Sequence, residues 1–541
     1  MLFNSTEFIF AFLPVALAGF FLFGTMSRTW ALGWLIVASA FFYAWWNPIN
    51  VLIIAPSLAA NYLFARAIQR LGDAPEKAGL RRVLLIAGIL FNVLFLGYFK
   101  YLTFVESSLN DLAGTQFVIV NVVLPLGISF ITFQKIAFLI DVHARRVESF
   151  TFQQFCLFVL FFPQLIAGPI VHFREMMPQF HNVRARFDAV SLAAGLTLFS
   201  IGLFKKVVLA DGIASYVSPI YEAAAAGETM TLLTAWSAAI GFTLQIYFDF
   251  SGYSEMALGI ARCFGIKLPV NFDSPLKATS IIEFWLRWHI TLTRFLTAYI
   301  YNPLALWLTR RRAALRLPLL GGRNISVGAF VQLLALPTIV TMLISGVWHG
   351  AGWLFILWGL VHGVYLVINH AWRLASRRLF TDKAKYSRVM RPVGFVLTFT
   401  SVAFAMVLFR STTGAAAAEL VAGMLGSNGL SLPRGLVEPV GLAGALEPVV
   451  TLEAGGVAEF VLRSAWIAGL LAIAWLLPNT IQVMARVEPA LDAAERAGHT
   501  KPLTGMFAWR PTLPWAVAVS ILAAVSVLRL SAESEFLYWQ F

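Results

Sequence analysis

The sequence predicts an all-α polytopic membrane protein, on the basis of its composition and of its apolar runs. Of its 541 residues, 59% are hydrophobic and 12% are charged, and the mean hydropathy is +0.78. Soluble domains are roughly 45–50% apolar and about 25% charged. Runs of about 18 or more apolar residues, long enough to cross roughly 30 Å of hydrocarbon, recur along the whole chain. We therefore expect a single membrane domain over residues 1–541.

The clearest candidate spans are long, apolar and poor in charge. They cover residues 8–24, 30–46, 49–65, 83–103, 117–140, 189–210, 232–248, 328–346, 352–371, 391–410, 460–478 and 513–530. Two shorter or more polar stretches, 152–167 and 281–301, are predicted to be re-entrant or interfacial. Together they predict roughly 11 to 14 transmembrane or re-entrant helices.

The net charge of +13 indicates membrane topology rather than nucleic-acid binding, because lysine and arginine lie between the apolar runs, as in cytoplasmic loops. The basic clusters expected in the cytoplasm are residues 66–82, 143–146, 310–312 and 373–391. The opening MLFNSTE has no basic residue, so we expect an extracytoplasmic N-terminus and a retained first helix. The acidic loop 411–459 and the tail 531–541 are also predicted to be extracytoplasmic.

Metal and nucleotide sites are not predicted. Cys156 and Cys263 lie in separate apolar contexts, and the histidines lack metal-ligand spacing. We find no phosphate loop, nucleophile elbow or dinucleotide fingerprint.

Polar residues inside the apolar runs are candidates for function, because such groups usually face a protein interior or a wet cavity. In LQIYFDFSGYSEMALG, Gln245 and Asp249 are four residues apart and share a helix face, next to a predicted break at Gly252. A binding role for Asp249 and an ordinary helix end that reaches water are both open.

In EFWLRWHITLTRFL, Glu283, Arg287 and Arg294 lie on one helical face. The alternative to a binding role is an interfacial helix, with Trp285 and Trp288 at headgroup level and with arginines that extend to water. His289 lies away from that face, and its imidazole needs a partner for each ring nitrogen.

In SGVWHGAGWLFILWGLVHG, Gly346, Gly350 and Gly352 interrupt the helical pattern around Trp348 and His349. Irregular backbone at membrane depth is tolerated where it is buried in protein or lines a cavity. A neutral imidazole there can act as a general base toward a hydroxyl. The alternative is a hydrogen-bonded packing residue, which we favour for His362 on the following helix.

Seven segments together resemble the membrane-bound O-acyltransferases, specifically the bacterial branch that contains the alginate O-acetyltransferase membrane subunit. They occur in the order of that family: MLFNSTEFIFAFLPV, LPLGISFITFQKIAFLIDVHAR, FFPQLIAGPIVHF, GLFKKVVLAD, QIYFDFSGYSEMALG, FWLRWHITLTRFLTAYIYNPL and SGVWHGAGWLFILWGLVHG.

The resemblance implies a helical fold around a central funnel, with His349 catalytic in the acyl-transfer step and His289 in support. It implies a thioester co-substrate, acetyl-CoA or an acyl-carrier phosphopantetheine, and no tightly bound cofactor. Asp249, Arg287, Arg294 and Trp348 are candidate contacts of the substrates. Lys205 and Lys206 are further candidates, with ordinary cytoplasmic charges as the favoured alternative.

The terminal FLYWQF is similar to the aromatic motif of short membrane peptides in D-alanylation systems, so Tyr538 is a candidate acyl relay. The alternative is an interfacial aromatic anchor. By analogy, the partners are the lipid bilayer, an extracytoplasmic hydrolase-like acyltransferase, an acyl-carrier protein and an exported glycan. The expected location is the bacterial inner membrane.

The substrate stays open at this stage. The resemblance fits either acetyl or D-alanyl as the acyl group. It fits alginate, cellulose, peptidoglycan or another exported glycan as the acceptor. Asp249 and the broken helices also fit a membrane transporter, and a non-catalytic scaffold for a glycan synthase is a third alternative.

Overall fold

The computed structural model describes the chain except for residues 73, 119–123, 184, 322–324, 440, 449, 493–502, 504, 531–536 and 538–541. Within that part of the chain, eight helices are long and apolar enough to cross a membrane. They are Phe8–Met26, Ile49–Arg70, Pro75–Ala113, Ala189–Ala225, Val327–His349, Trp353–Leu379, Lys383–Arg410 and Val457–Leu476. Each matches a predicted span, so the all-α polytopic class is confirmed.

The other four predicted spans also contain helices, namely Arg28–Ala44, Ile128–His143, Leu232–Cys263 and Leu513–Leu528. The predicted span over 117–140 begins too early in the sequence. Its helix begins only at Ile128, because Gly127 has a φ of 67°, which a right-handed helix cannot accommodate.

Short helices make up the two stretches that were predicted not to span. The first contains Phe152–Leu160 and Phe162–Leu165, and the second contains Ile281–Arg287 and Ile290–Leu296, followed by Asn302–Ala314. The remaining short helices of at least four residues are Phe173–Asn182, Gly414–Met424, Arg434–Val437, Ala443–Leu446 and Thr480–Val483.

The described part of loop 411–459 contains two three-residue strands, Ser431–Pro433 and Thr451–Glu453. They pair in parallel, with Ser431 opposite Thr451. The loop therefore has regular structure between two spanning helices.

π-helical turns widen five of the described helical stretches: Phe8–Phe12, Gly97–Tyr101, Lys205–Ala210, Thr297–Tyr301 and Val331–Ala335. Such turns often occur at functional sites. Two of them contain lysines, Lys100 and the pair Lys205 and Lys206, inside spanning helices.

Two large apolar clusters and one small one form the interior of the described part of the chain. The first includes Phe133, Phe295 and Trp348, and the second includes Trp358 and Phe409. The turn after His349 lies where the two clusters meet, which places this residue inside the protein.

Gly252 and Gly346 lie where two helices cross closely, and neither interrupts its helix. Leu232–Cys263 is continuous through Gly252, so the predicted break there was wrong. A Cβ on Gly252 would lie 2.7 Å from the carbonyl oxygen of Gly202. Gly346 likewise lies within a helix, and a Cβ there would lie 2.3 Å from the carbonyl oxygen of Phe355.

Replacing Gly346 with alanine is therefore expected to lower the free energy of unfolding by about 1–3 kcal/mol, because the new methyl group must displace backbone. Gly469→Ala is the matched control, since no atom lies within 4 Å of its added Cβ; there we expect no loss, or a gain of up to ~1 kcal/mol. Thermal unfolding in detergent measures both. Equal stability of the two variants would contradict the close crossing.

Candidate active site

His349 is the last residue of the helix Leu336–His349, and a short turn then leads into Trp353–Leu379. Its side chain is buried, with 4% exposure. The ring centroid lies 5.0 Å from that of Trp358 and 5.3 Å from that of Phe409. The structure thus places this imidazole among aromatic rings rather than toward lipid.

His289 lies between Ile281–Arg287 and Ile290–Leu296, with a φ of 42°. Its Nδ1 is 3.0 Å from Oδ1 of Asn271, an oxygen that also accepts hydrogen bonds from the backbone and hydroxyl of Thr291. Nδ1 must therefore donate, which leaves the ring lone pair on Nε2. A positive φ in a non-glycine residue costs energy and often marks a functional position.

The two predicted histidines are adjacent. Their ring centroids are 6.5 Å apart, although 59 positions separate them in the sequence. Trp348 is also buried, and its ring lies 6.1 Å from His289 and stacks on Phe133. The structure therefore brings His289, Trp348 and His349 together.

Lys100 holds the end of the helix that ends at His349. Its Nζ donates to the carbonyl oxygens of Trp348, at 2.5 Å, and His349, at 3.3 Å. The neighbouring Tyr101 hydroxyl donates to the carbonyl oxygen of Val347, at 2.8 Å. The last carbonyls of a helix lack intrahelical partners, and a cation complements the helix dipole there. Lys100 is thus a positioning residue for His349.

Replacing Lys100 with methionine is expected to lower kcat of the acyl transfer that the family resemblance implies roughly 10- to 100-fold with little change in KM, because the imidazole loses its orientation. Lys100→Arg, which restores a cation, should recover part of the rate. Lys135→Met is the matched control, since that buried lysine donates to the Ser57 hydroxyl instead. Steady-state kinetics on purified protein measure the effect, and an unchanged kcat in Lys100→Met would exclude the positioning role.

A cleft of about 740 Å³ lies beside the segment that contains His289. Trp285, Arg287 and Arg294 line it, together with the carboxylates of Asp273 and Asp492. Arg287 pairs with Glu283 at 2.8 Å, and Arg294 pairs with Glu175 at 2.9 Å. Both predicted arginines thus line one cleft, where each is held by a carboxylate.

The alternative of an interfacial helix was wrong for its tryptophans, because Trp285 and Trp288 are 5% and 3% exposed. Trp285 connects the cleft to the interior. Its ring lies 5.9 Å from that of Trp358 and 5.3 Å from that of His362.

His172 belongs to a polar network beside this cleft. Its Nδ1 is 3.1 Å from the Tyr299 hydroxyl, and Glu175, the partner of Arg294, accepts from its backbone N–H. Burial, followed by the charge of Arg294, lowers the pKa of His172 to about 3. The ring is therefore neutral near pH 7 and accepts the tyrosine proton.

Asp249 is buried in an ion pair. Lys206 Nζ lies 2.7 Å from Asp249 Oδ1 and 2.7 Å from Asp211 Oδ1. Lys205 pairs with Glu255 at 2.5 Å. Both lysines thus lie next to carboxylates within the helical stretch Ala189–Ala225, Lys206 buried and Lys205 partly buried.

Tyr538 lies outside the described residues. The preceding Leu537 is described, with 0% exposure, and it packs in the same apolar cluster as Trp285, Trp358 and Phe409. Its backbone lies near the Asp249 carboxylate.

Asn271, Lys100 and Tyr101 were missed in the sequence. A lysine inside the predicted span 83–103 was the available signal for Lys100. Asn271 gave none, because only the fold brings it to His289. Among the described residues, no group of three or more His, Cys, Asp or Glu side chains could hold a metal ion.

Comparison with known proteins gives consistent matches. The model of the MBOAT, membrane-bound O-acyltransferase family matches residues 93–317. A peptidoglycan O-acetyltransferase of Helicobacter pylori is 38% identical over 460 residues, which is 80% of this chain and 81% of the relative. A probable alginate O-acetylase AlgI of Azotobacter vinelandii is 33% identical over 554 residues and all of both chains. A teichoic acid D-alanyltransferase of Streptococcus thermophilus is 28% identical over 56% of this chain and 71% of its own.

Proposed function

The chain belongs to the membrane-bound O-acyltransferase family and is an O-acyltransferase, and from that premise we propose that it moves an acetyl group from a cytoplasmic thioester across the membrane to an exported glycan. The relatives that cover most of the chain are named for acetyl transfer to peptidoglycan or alginate. The relative named for D-alanyl transfer covers less of it. These names favour acetyl over D-alanyl, and the family assignment excludes a purely transporting or scaffolding role.

The observation that best supports this proposal is the buried pair of His349 and His289, whose ring centroids are 6.5 Å apart. Both rings lie close to Trp348. A base in a water-poor site can deprotonate a hydroxyl without competing hydrolysis of the thioester.

In the proposed reaction, a hydroxyl oxygen attacks the thioester carbonyl carbon while His349 accepts the hydroxyl proton. The new C–O bond forms, the C–S bond breaks, and the imidazolium returns its proton to the departing thiolate. The products are an ester and a free thiol, and the histidine is regenerated. His289 supports the site through its bond to Asn271, which fixes its tautomer.

The donor is proposed to approach through the cleft that Trp285, Arg287 and Arg294 line. Guanidinium groups bind phosphates well, and both donor types, coenzyme A and a carrier's phosphopantetheine, contain phosphate. On binding, the donor phosphate would replace the carboxylates of Glu283 and Glu175 as the partner of the two arginines.

The outward step is proposed to use Tyr538. Its hydroxyl would accept the acyl group as an ester and pass it to an extracytoplasmic transferase, at the outer face of the bacterial inner membrane, where both termini would lie. Burial of Leu537 beside Asp249, in the cluster that contains Trp358, supports a tail that reaches the interior.

Purified protein incubated with labelled acetyl-CoA, and in parallel with acetyl- and D-alanyl-loaded carrier protein, tests the proposal. We expect an acetyl ester on the chain, sensitive to hydroxylamine, that Tyr538→Phe abolishes. A Tyr538→Phe protein that still supports full glycan acylation would remove the relay. No transfer from any of these donors by the parent protein would overturn the proposed reaction.

A further inference from the structure

His362 is a buried imidazole without a hydrogen-bond partner in the described part of the chain. Its exposure is 0%, and neither Nδ1 nor Nε2 has a partner there. His362 is therefore a packing residue as expected, but the expected hydrogen bond is not found among the described residues. The large majority of buried side-chain polar atoms in proteins are paired, so a ring with two unpaired nitrogens needs an explanation.

Two further polar atoms in the same cluster share this property. The indole Nε1 atoms of Trp285 and Trp358 are buried without a hydrogen-bond partner among the described residues. The ring of His362 lies 5.3 Å from that of Trp285 and 4.8 Å from that of Trp358. Four nitrogens without a hydrogen-bond partner among the described residues thus lie in one cluster.

The cluster lies between the cleft and His349. Trp285 lines the cleft, and Trp358 lies 5.0 Å from the ring of His349. Phe284 packs against His362, and Phe409 packs against Trp358, so the cluster also has apolar walls. A ligand that passed from the cleft to His349 would meet these nitrogens between hydrocarbon surfaces.

We propose that His362, with the indole N–H groups of Trp285 and Trp358, binds the pantetheine arm of the acyl donor. The hydrogen bonds would be accepted by the amide carbonyl oxygens of that arm. The inference rests on the proposed function and makes His362 a substrate-binding residue in addition to His349. A pantetheine arm is narrow, has apolar methylene segments and has oxygen acceptors at intervals, which fits N–H donors between aromatic walls. Coenzyme A and a carrier protein share this arm.

The test uses His349→Gln protein, which binds donor without turning it over, with and without His362→Phe. Phenylalanine keeps an aromatic ring but removes both nitrogens. Titration with acetyl-CoA, and separately with acetylated carrier protein, should show dissociation constants raised roughly 10- to 100-fold by His362→Phe, because buried hydrogen bonds are lost. His362→Gln, which retains a donor, should bind more tightly than His362→Phe.

A stability measurement separates this role from a structural one. Removing an unpaired buried imidazole should leave the unfolding midpoint unchanged or raised. Trp358→Phe gives a second test at a different position. Trp372→Phe is the control, because Trp372 lies further along the same helix as Trp358 and its indole donates to the Tyr386 hydroxyl of the next helix.

Unchanged affinity for both donors in His362→Phe and Trp358→Phe would overturn the proposal. Weaker binding to one donor only would support it and identify that donor. If the donors bind but the parent protein transfers no acyl group, the proposed reaction is contradicted and the proposed binding site is supported. If His349→Gln abolishes transfer and His362→Phe leaves binding intact, the reaction stands and the binding site fails.

Discussion

Replacing His349 with alanine is expected to lower acyl transfer roughly 10²- to 10⁴-fold, the range that a positioned general base contributes. The effect should appear in kcat, because the donor contacts proposed for Trp285, Arg287 and Arg294 remain. The measurement is transfer of label from acetyl-CoA or acetylated carrier protein by purified chain.

Two controls accompany this prediction. His349→Gln keeps a polar side chain of similar volume in the aromatic site, so a loss of activity there cannot be assigned to a cavity. His370→Ala removes a partly exposed histidine on the following helix, Trp353–Leu379, and should retain activity. Full activity in His349→Gln would show that the imidazole is not the base.

Replacing Lys206 with methionine is expected to lower the free energy of unfolding by about 3–5 kcal/mol, because it leaves the Asp249 carboxylate buried without its counter-charge. Asp249 is 1% exposed and lies 2.7 Å from the lysine. The double variant Lys206→Met with Asp249→Asn should recover much of the loss, because position 249 is then neutral and the remaining carboxylate, Asp211, has a side chain that is 24% exposed to solvent. Thermal or denaturant unfolding in detergent measures all three proteins.

Lys267→Met is the control for this prediction. Its partner Glu488 has a side chain that is 60% exposed, and such surface pairs contribute about 0–1 kcal/mol. Equal destabilisation by Lys206→Met and Lys267→Met, or a double variant as unstable as Lys206→Met, would show that the buried pair does not matter for stability.

The sequence predicted the class and most of the spans because hydropathy over about 18 residues is a local property. It also identified His349 and His289, since a polar ring in an apolar segment is visible without a structure. It predicted helix breaks at Gly252 and at Gly346, Gly350 and Gly352. The break at Gly350 and Gly352 is confirmed, because one helix ends at His349 and the next begins at Trp353, whereas Gly252 and Gly346 lie at helix crossings. Local sequence does not show whether a glycine bends a helix or admits a neighbour.

The remaining site residues depend on contacts between distant segments. Lys100 reaches the carbonyl oxygen of Trp348 across 248 positions, and Asn271 reaches His289 from another loop. His362 looked like a packing residue because one histidine on a regular helix ordinarily finds a partner. Only the packed structure shows that its nearest neighbours are the rings of Trp285 and Trp358.

The central claim is that the acyl donor reaches the side chain of His349 inside the membrane. Labelling of His349→Cys by a small methanethiosulfonate reagent, in a chain whose Cys156 and Cys263 are alanine, tests it most directly. Ala403→Cys is the reference, because Ala403 is 0% exposed within an apolar cluster. We predict that His349→Cys reacts much faster than Ala403→Cys and that acetyl-CoA or acetylated carrier protein slows its reaction. Equal reaction at both positions, from either side of sealed vesicles, would contradict the claim.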